Sequence, residues 1–296
     1  MKLPSTKTMI ALVLLLGATS LVEMMTVKGE TIRHRVYISQ IVVVRCMDSA
    51  IELMAEPITN SVGQTIYEGR PGQEEAMVNN VIAFMQSKFP AKASIMFLNW
   101  HTDGHLLRKD AQGNIAKGNI KIVEIHAQSS LEQVPHYTPL IDPVTGEEKL
   151  RWGFTYDGED GNAQRFGKAY INMSALRQEF FKEYEHLVNE DGYSHADALD
   201  VIAGKMDMVA GFWSTHEIGH TLGLVSVNYL YGDPTLYPGE AISENRLDNP
   251  QRAADTVYMM DPELMFYLIL MIGDQIEFIQ LNKDYLLFIL PQPEGD

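Results

Sequence analysis

The stretch HEIGHTLGL, residues 216–224, decides how the rest of the chain is read. On a helix, residues four apart lie one turn apart on the same face. His216 and His220 can therefore aim two imidazoles at one point, with Glu217 beside them. Gly223 follows, a residue type favoured for closing a helix. Neutral imidazole suits Zn2+, which in catalytic sites takes three protein ligands and keeps a fourth position for water. A carboxylate beside the pair is placed to act on that water as general base without ligating the metal, and the metal makes the water acidic enough to react near neutral pH. The spacing predicts a zinc site with His216 and His220 as ligands and Glu217 as base.

Working outward, Ser194 and Asp197 form a capping box, and the helix they start is expected to run from about 195 to 222. Upstream, ALRQEFFKEYEHLV (175–188) and QEEAMVNNVIAFMQSKF (73–89) have the apolar spacing of amphipathic helices, the latter stopped by Pro90. VYISQIVVVRC (36–46), ASIMFLNWH (93–101), IKIVEIHA (120–127) and GKAYINMS (167–174) read as strands. Residues 56–73 and 128–166 are rich in turn formers and read as loops. LMFYLILMI (264–272) is too short to span a bilayer and reads as a buried helix. This order of strands and helices predicts an α/β (α+β) fold, a mixed sheet packed on two helices.

The chain has 296 residues, enough for a substantial core, with 46% hydrophobic and 21% charged residues. Its formal net charge of −16 and lack of any basic run exclude a nucleic-acid partner. Cys46 is the only cysteine, so no intrachain disulfide can form. At the end of a β-branched run it reads as a packed core thiol rather than a latency switch. Lys2 and Lys7 precede the apolar run MIALVLLLGATSLV (9–22), and Ala18-Thr19-Ser20 offers small residues for cleavage. Residues 1–20 therefore read as a secretory signal, which makes the protein secreted or cell-envelope, and membrane-attached only if the signal stays uncleaved. HTDGH (101–105) reads as a surface turn with two ordinary histidines. DGEDGN (157–162) has the acids and glycines of a calcium loop without the EF-hand spacing, a weak Ca2+ candidate.

Together HEIGHTLGL and MMDP (259–262) resemble the metzincin clan of zinc metallopeptidases, which carry H-E-x-x-H-x-x-G-x-x-H/D and then a Met-turn that floors the zinc site. The resemblance is close over 216–224 and 259–262 and rests on element order alone over roughly 33–190. It implies an N-terminal subdomain, 31–223, in which a twisted sheet packs on two helices and the second helix bears the histidines. It also implies an irregular C-terminal subdomain, 224–296, with Met260 as the Met-turn residue. An edge strand within 150–172 would pair with an extended peptide. The implied partner is a peptide or protein substrate, and the implied enzyme a monomeric zinc metalloendopeptidase.

The chain departs from that pattern at Ser226, which stands where the third ligand is expected; a hydroxyl is a poor zinc ligand. No histidine follows His220. Carboxylates can ligate zinc through oxygen, and the loop offers Asp233, Glu240, Glu244, Asp248 and Asp255, beside which an upstream histidine or no third ligand stays open. Asp248 ranks first, because Asp248-Asn249 matches a longer-loop arrangement in related bacterial sequences. Glu240, twenty residues after His220, has thermolysin-like spacing and ranks second. Two alternatives stay open beside the peptidase. One is a binding scaffold with a degenerate catalytic site that uses its loops 128–166 and 226–256. The other is a zinc hydrolase acting on a non-peptide amide.

Overall fold

Val42, Val43 and Val44 are completely buried, because the strand that carries them, β1 (Gln40–Cys46), lies inside a five-stranded sheet. A strand covered on both faces reads as a continuous apolar run, as this one does. On one side β1 pairs in parallel with β2 (Ile95–Asn99) and on the other with β3 (Ile120–His126). Beyond β3 lies β5 (Phe166–Asn172), also parallel, and the sheet ends at an antiparallel edge strand, β4 (Gly153–Thr155). The spatial order is β4-β5-β3-β1-β2. The computed structural model describes residues 26–27, 30–31, 40–107, 120–135, 137–141, 145–155, 166–222, 224, 259, 266–278 and 280–290. The expected signal at 1–20, the DGEDGN turn, Ser226, Met260 and all five candidate third ligands, Asp248 and Glu240 among them, lie outside the described residues.

Alternate strand residues separate the two faces. Val42, Val44, Val123, Ile125, Ala169 and Ile171 join a core shared with the helices, whereas Val43, Leu98, Ile120 and Ile122 pack with Leu107 and Trp100 on the other face. The helices on the first face include α1 (Asp48–Ala55), α2 (Glu74–Lys88), α3 (Met173–Asn189), α4 (His195–Ile202) and α5 (Met206–Thr221). Helix α2 opens with Glu74 and Glu75 and closes with Lys88, charges that complement its dipole. The Asn172 side chain caps α3 by accepting from the Ser174 and Ala175 amides, and Ser194 caps α4 by accepting from Asp197. Helices α6 (Phe266–Ile272) and α7 (Gln280–Ile289) bring Phe266, Ile269, Leu270 and Leu286 into the same core.

The mixed α/β class agrees with the expectation, but more than two helices cover the sheet, and α1 had no counterpart in the sequence reading. The single helix expected over 195–222 is two, α4 and α5. Gly204 between them sits at φ +69, a left-handed conformation that glycine adopts without steric cost and that ends a helix. The loop expected over 128–166 contains a short hairpin, Leu140–Ile141 with Glu148–Lys149, and then β4. HTDGH is a short helical turn, Trp100–Asp103, running into a 3-10 turn, Gly104–Leu106. Both its histidines are exposed, and each serves nearby backbone: His101 accepts from the Cys46 amide at 3.3 Å, and His105 donates to the Thr102 carbonyl at 2.8 Å. Cys46 is a buried core thiol, its pKa pushed up to about 12 by burial and then by Glu74 and Asp48. No described helix is long and apolar enough to cross a membrane.

On the sheet face opposite the helices, Lys168 donates to Glu124 at 2.9 Å, His126 lies 3.4 Å from the other Glu124 oxygen, and Ser130 lies 2.8 Å from His126. Burial alone would raise the Glu124 pKa; the His126 hydrogen bond and the Lys168 charge outweigh it and bring it from 4.5 to about 2. A carboxylate whose pKa is depressed on folding stabilises the fold above its unfolded value and loses that contribution as pH falls through the folded value. Wild-type chain is therefore expected to lose more stability between about pH 4.5 and 2 than Glu124→Gln does, as read by melting temperature across that window. Parallel curves would contradict the assignment.

Candidate metal centre

Helix α5 is buried along almost its whole length and packs against α2, α3, β4 and β5. Gly211 permits the close approach of α2, since a Cβ there would fall 2.8 Å from the Phe84 Cβ. At the start of α5, Asp207 receives both arms of the Arg70 guanidinium and the Asn80 amide, the last at 2.7 Å. Arg70 also donates to the Tyr67 hydroxyl at 2.8 Å. The first turn of α5 is thus fixed to the segment preceding α2, and this fixes the direction in which the last turns point.

Those last turns carry His216 and Glu217, both about 5% exposed or less, and His220. The Nδ1 of His216 lies 2.7 Å from the Met259 carbonyl, and the Nδ1 of His220 lies 2.7 Å from the Leu224 carbonyl. A carbonyl oxygen only accepts, so in both rings Nδ1 carries the hydrogen and donates it. In the neutral rings, each Nε2 then presents a lone pair and no hydrogen. The two Nε2 atoms face each other at 3.1 Å, with the rings nearly perpendicular at 86°. Two lone pairs do not bond to one another, and a proton or a cation between them would join the two rings. Two nitrogens each 2.0–2.1 Å from one tetrahedral zinc stand roughly 3.3 Å apart, so the spacing fits a metal. A backbone carbonyl on the far nitrogen is also the usual orienting partner of a ligating histidine. Burial lowers the His220 pKa, against the pull of its bond to Leu224.

Glu217 is enclosed by the helix and the edge strand. A Cβ on Gly153 would lie 2.8 Å from Glu217 Oε1 and 2.9 Å from its Cγ, so only glycine lets β4 approach this closely. Burial pushes the Glu217 carboxyl up to about 8, with the nearby charge of Arg151 acting the other way. The wall beside it is aromatic: Trp213 lies 5.2 Å from His216 and 4.9 Å from Trp152, which also touches Phe266.

The expected trio of His216, Glu217 and His220 is thus brought together. Met259, the neighbour of Met260, is wholly buried, and its amide donates to the Glu277 carbonyl while its own carbonyl receives His216. Among the described residues, no cluster of three or more His, Cys, Asp or Glu side chains is placed to hold a metal. Sequence reading missed Gly153, although a glycine within the expected edge-strand region was a signal of close backbone approach. It also missed the Arg70–Asp207 tie, whose partners are 137 residues apart. No protein-family model, curated protein or solved structure matches this chain.

Proposed function

We propose that the chain is an exported, zinc-dependent metallopeptidase of metzincin type, built on a mixed α/β fold. The observation that carries this is the spacing of the two Nε2 atoms, which face each other at 3.1 Å with each ring locked through Nδ1 to a carbonyl. His216 and His220 would hold the ion, and a loop carboxylate, Asp248 first, would complete the set. Zinc bound there would supply a Lewis acid that polarises a peptide carbonyl and makes water acidic enough to attack near neutral pH. Glu217 receives the proton of the attacking water and returns it to the departing amine. Gly153 holds Glu217 in place by admitting the backbone of β4 against its side chain. As the edge of the sheet, β4 is also where an extended peptide would add as a further strand.

Hydrolysis of a quenched fluorescent peptide pool tests the proposal. Activity is expected, lost on chelation and restored by zinc. Zinc-loaded chain that cleaves no peptide would remove the peptidase assignment. Gly153→Ala is expected to displace Glu217 or β4, and misplacement of a catalytic group by about 1 Å costs up to ~100-fold. Its kcat/KM should fall by about ten- to a hundredfold with zinc content unchanged. Wild-type turnover in that variant would show that the close approach has no role.

A further inference from the structure

Arg151 immediately precedes the Trp152-Gly153 pair that walls the site. Its charge reaches the Glu217 carboxylate, yet the two make no ion pair, and its Nε is buried with no hydrogen-bond partner among the described residues. Lys88, Arg70 and Lys168 behave otherwise: each meets a carboxylate, on Glu277, Asp207 and Glu124 respectively. The indole N–H of Trp213, on the same wall, is a second buried donor without an acceptor among the described residues. A buried donor left unpaired is costly and calls for an explanation, and beside a proposed active site a bound ligand is one. Arg151 is half-buried, and its guanidinium bonds an anion more strongly than a neutral acceptor. The planar fork of arginine matches the two oxygens of a carboxylate.

We infer that Arg151 anchors a carboxylate of the substrate beside the scissile bond, which makes this a site for acidic peptides or for peptide C-termini. This rests on the peptidase assignment above and adds to it a substrate class. The net charge of −16 repels such peptides at long range, so the preference must come from this local contact.

The test uses the purified, zinc-loaded full chain and labelled peptide pools. The pools are identical except that Asp and Glu in one are Asn and Gln in the other, and each is made as free acid and as C-terminal amide. Binding is read on ice by fluorescence anisotropy, and mass spectrometry checks each sample for cleavage. At least tenfold tighter binding of carboxylate-bearing peptides to wild type is expected. The preference should vanish in Arg151→Gln and be partly kept in Arg151→Lys, with near-UV circular dichroism unchanged in both. Preference that follows the free terminus assigns a C-terminal carboxylate; preference that survives amidation assigns an acidic side chain. Equal binding of all pools, no binding, or an unchanged preference in Arg151→Gln overturns the inference. Cleavage without acid preference removes the anchor alone, whereas acid preference without cleavage removes the peptidase assignment alone.

Discussion

Glu217→Gln lowers peptide hydrolysis by about 10²–10⁴-fold, the range that a positioned general base contributes, while zinc content stays at the wild-type level. Glutamine keeps the size of the side chain, so the contact with Gly153 survives, but an amide cannot accept the proton of the attacking water. Because Glu217 is not among the proposed ligands, its loss separates catalysis from metal binding. His216→Ala is the complementary variant and should lose both. If Glu217→Gln lost its zinc, the carboxylate would be a ligand and the role of base would fall elsewhere. If it kept full activity, the site could not work as described.

The second large effect is on stability. Arg70→Ala removes the bidentate partner of Asp207, a side chain that is 5% exposed as a residue. Breaking a buried ion pair from one side costs about 3–5 kcal/mol, because the remaining charge stays buried without compensation. Arg70 keeps 23% side-chain exposure, so ~3 kcal/mol is expected, a large share of the 5–15 kcal/mol that holds a typical domain together. Urea unfolding should show a lower midpoint with little change in slope. The double variant Arg70→Met with Asp207→Leu should recover part of the loss, since a buried pair replaced by apolar side chains is often close to neutral. A single variant within about 0.5 kcal/mol of wild type would mean that solvent replaces the arginine, and the start of α5 would need another anchor.

The sequence carried the local features and missed those set by tertiary contact. The histidine spacing, the Ser194 cap and the β-branched run of β1 each arise within a few residues, and each appears where expected. The break at Gly204 was hidden, because a glycine inside an apolar-periodic run is tolerated in helices and turns left-handed only when the flanking packing demands it. The β4 edge was legible only as a region, since a three-residue strand has too little pattern to place. Gly153 against Glu217, Arg151 beside them and the Met259 carbonyl under His216 are meetings of distant segments, and no periodicity announces them. The helix class of 264–272 was clear from composition; that it shares the core of the sheet was not.

Zinc per chain, by elemental analysis of the purified protein alongside His216→Ala and His220→Ala, tests the central claim most directly. The facing Nε2 pair predicts close to one zinc in wild type and none in either variant. Folded wild-type protein, never exposed to chelator and without bound metal, would contradict it.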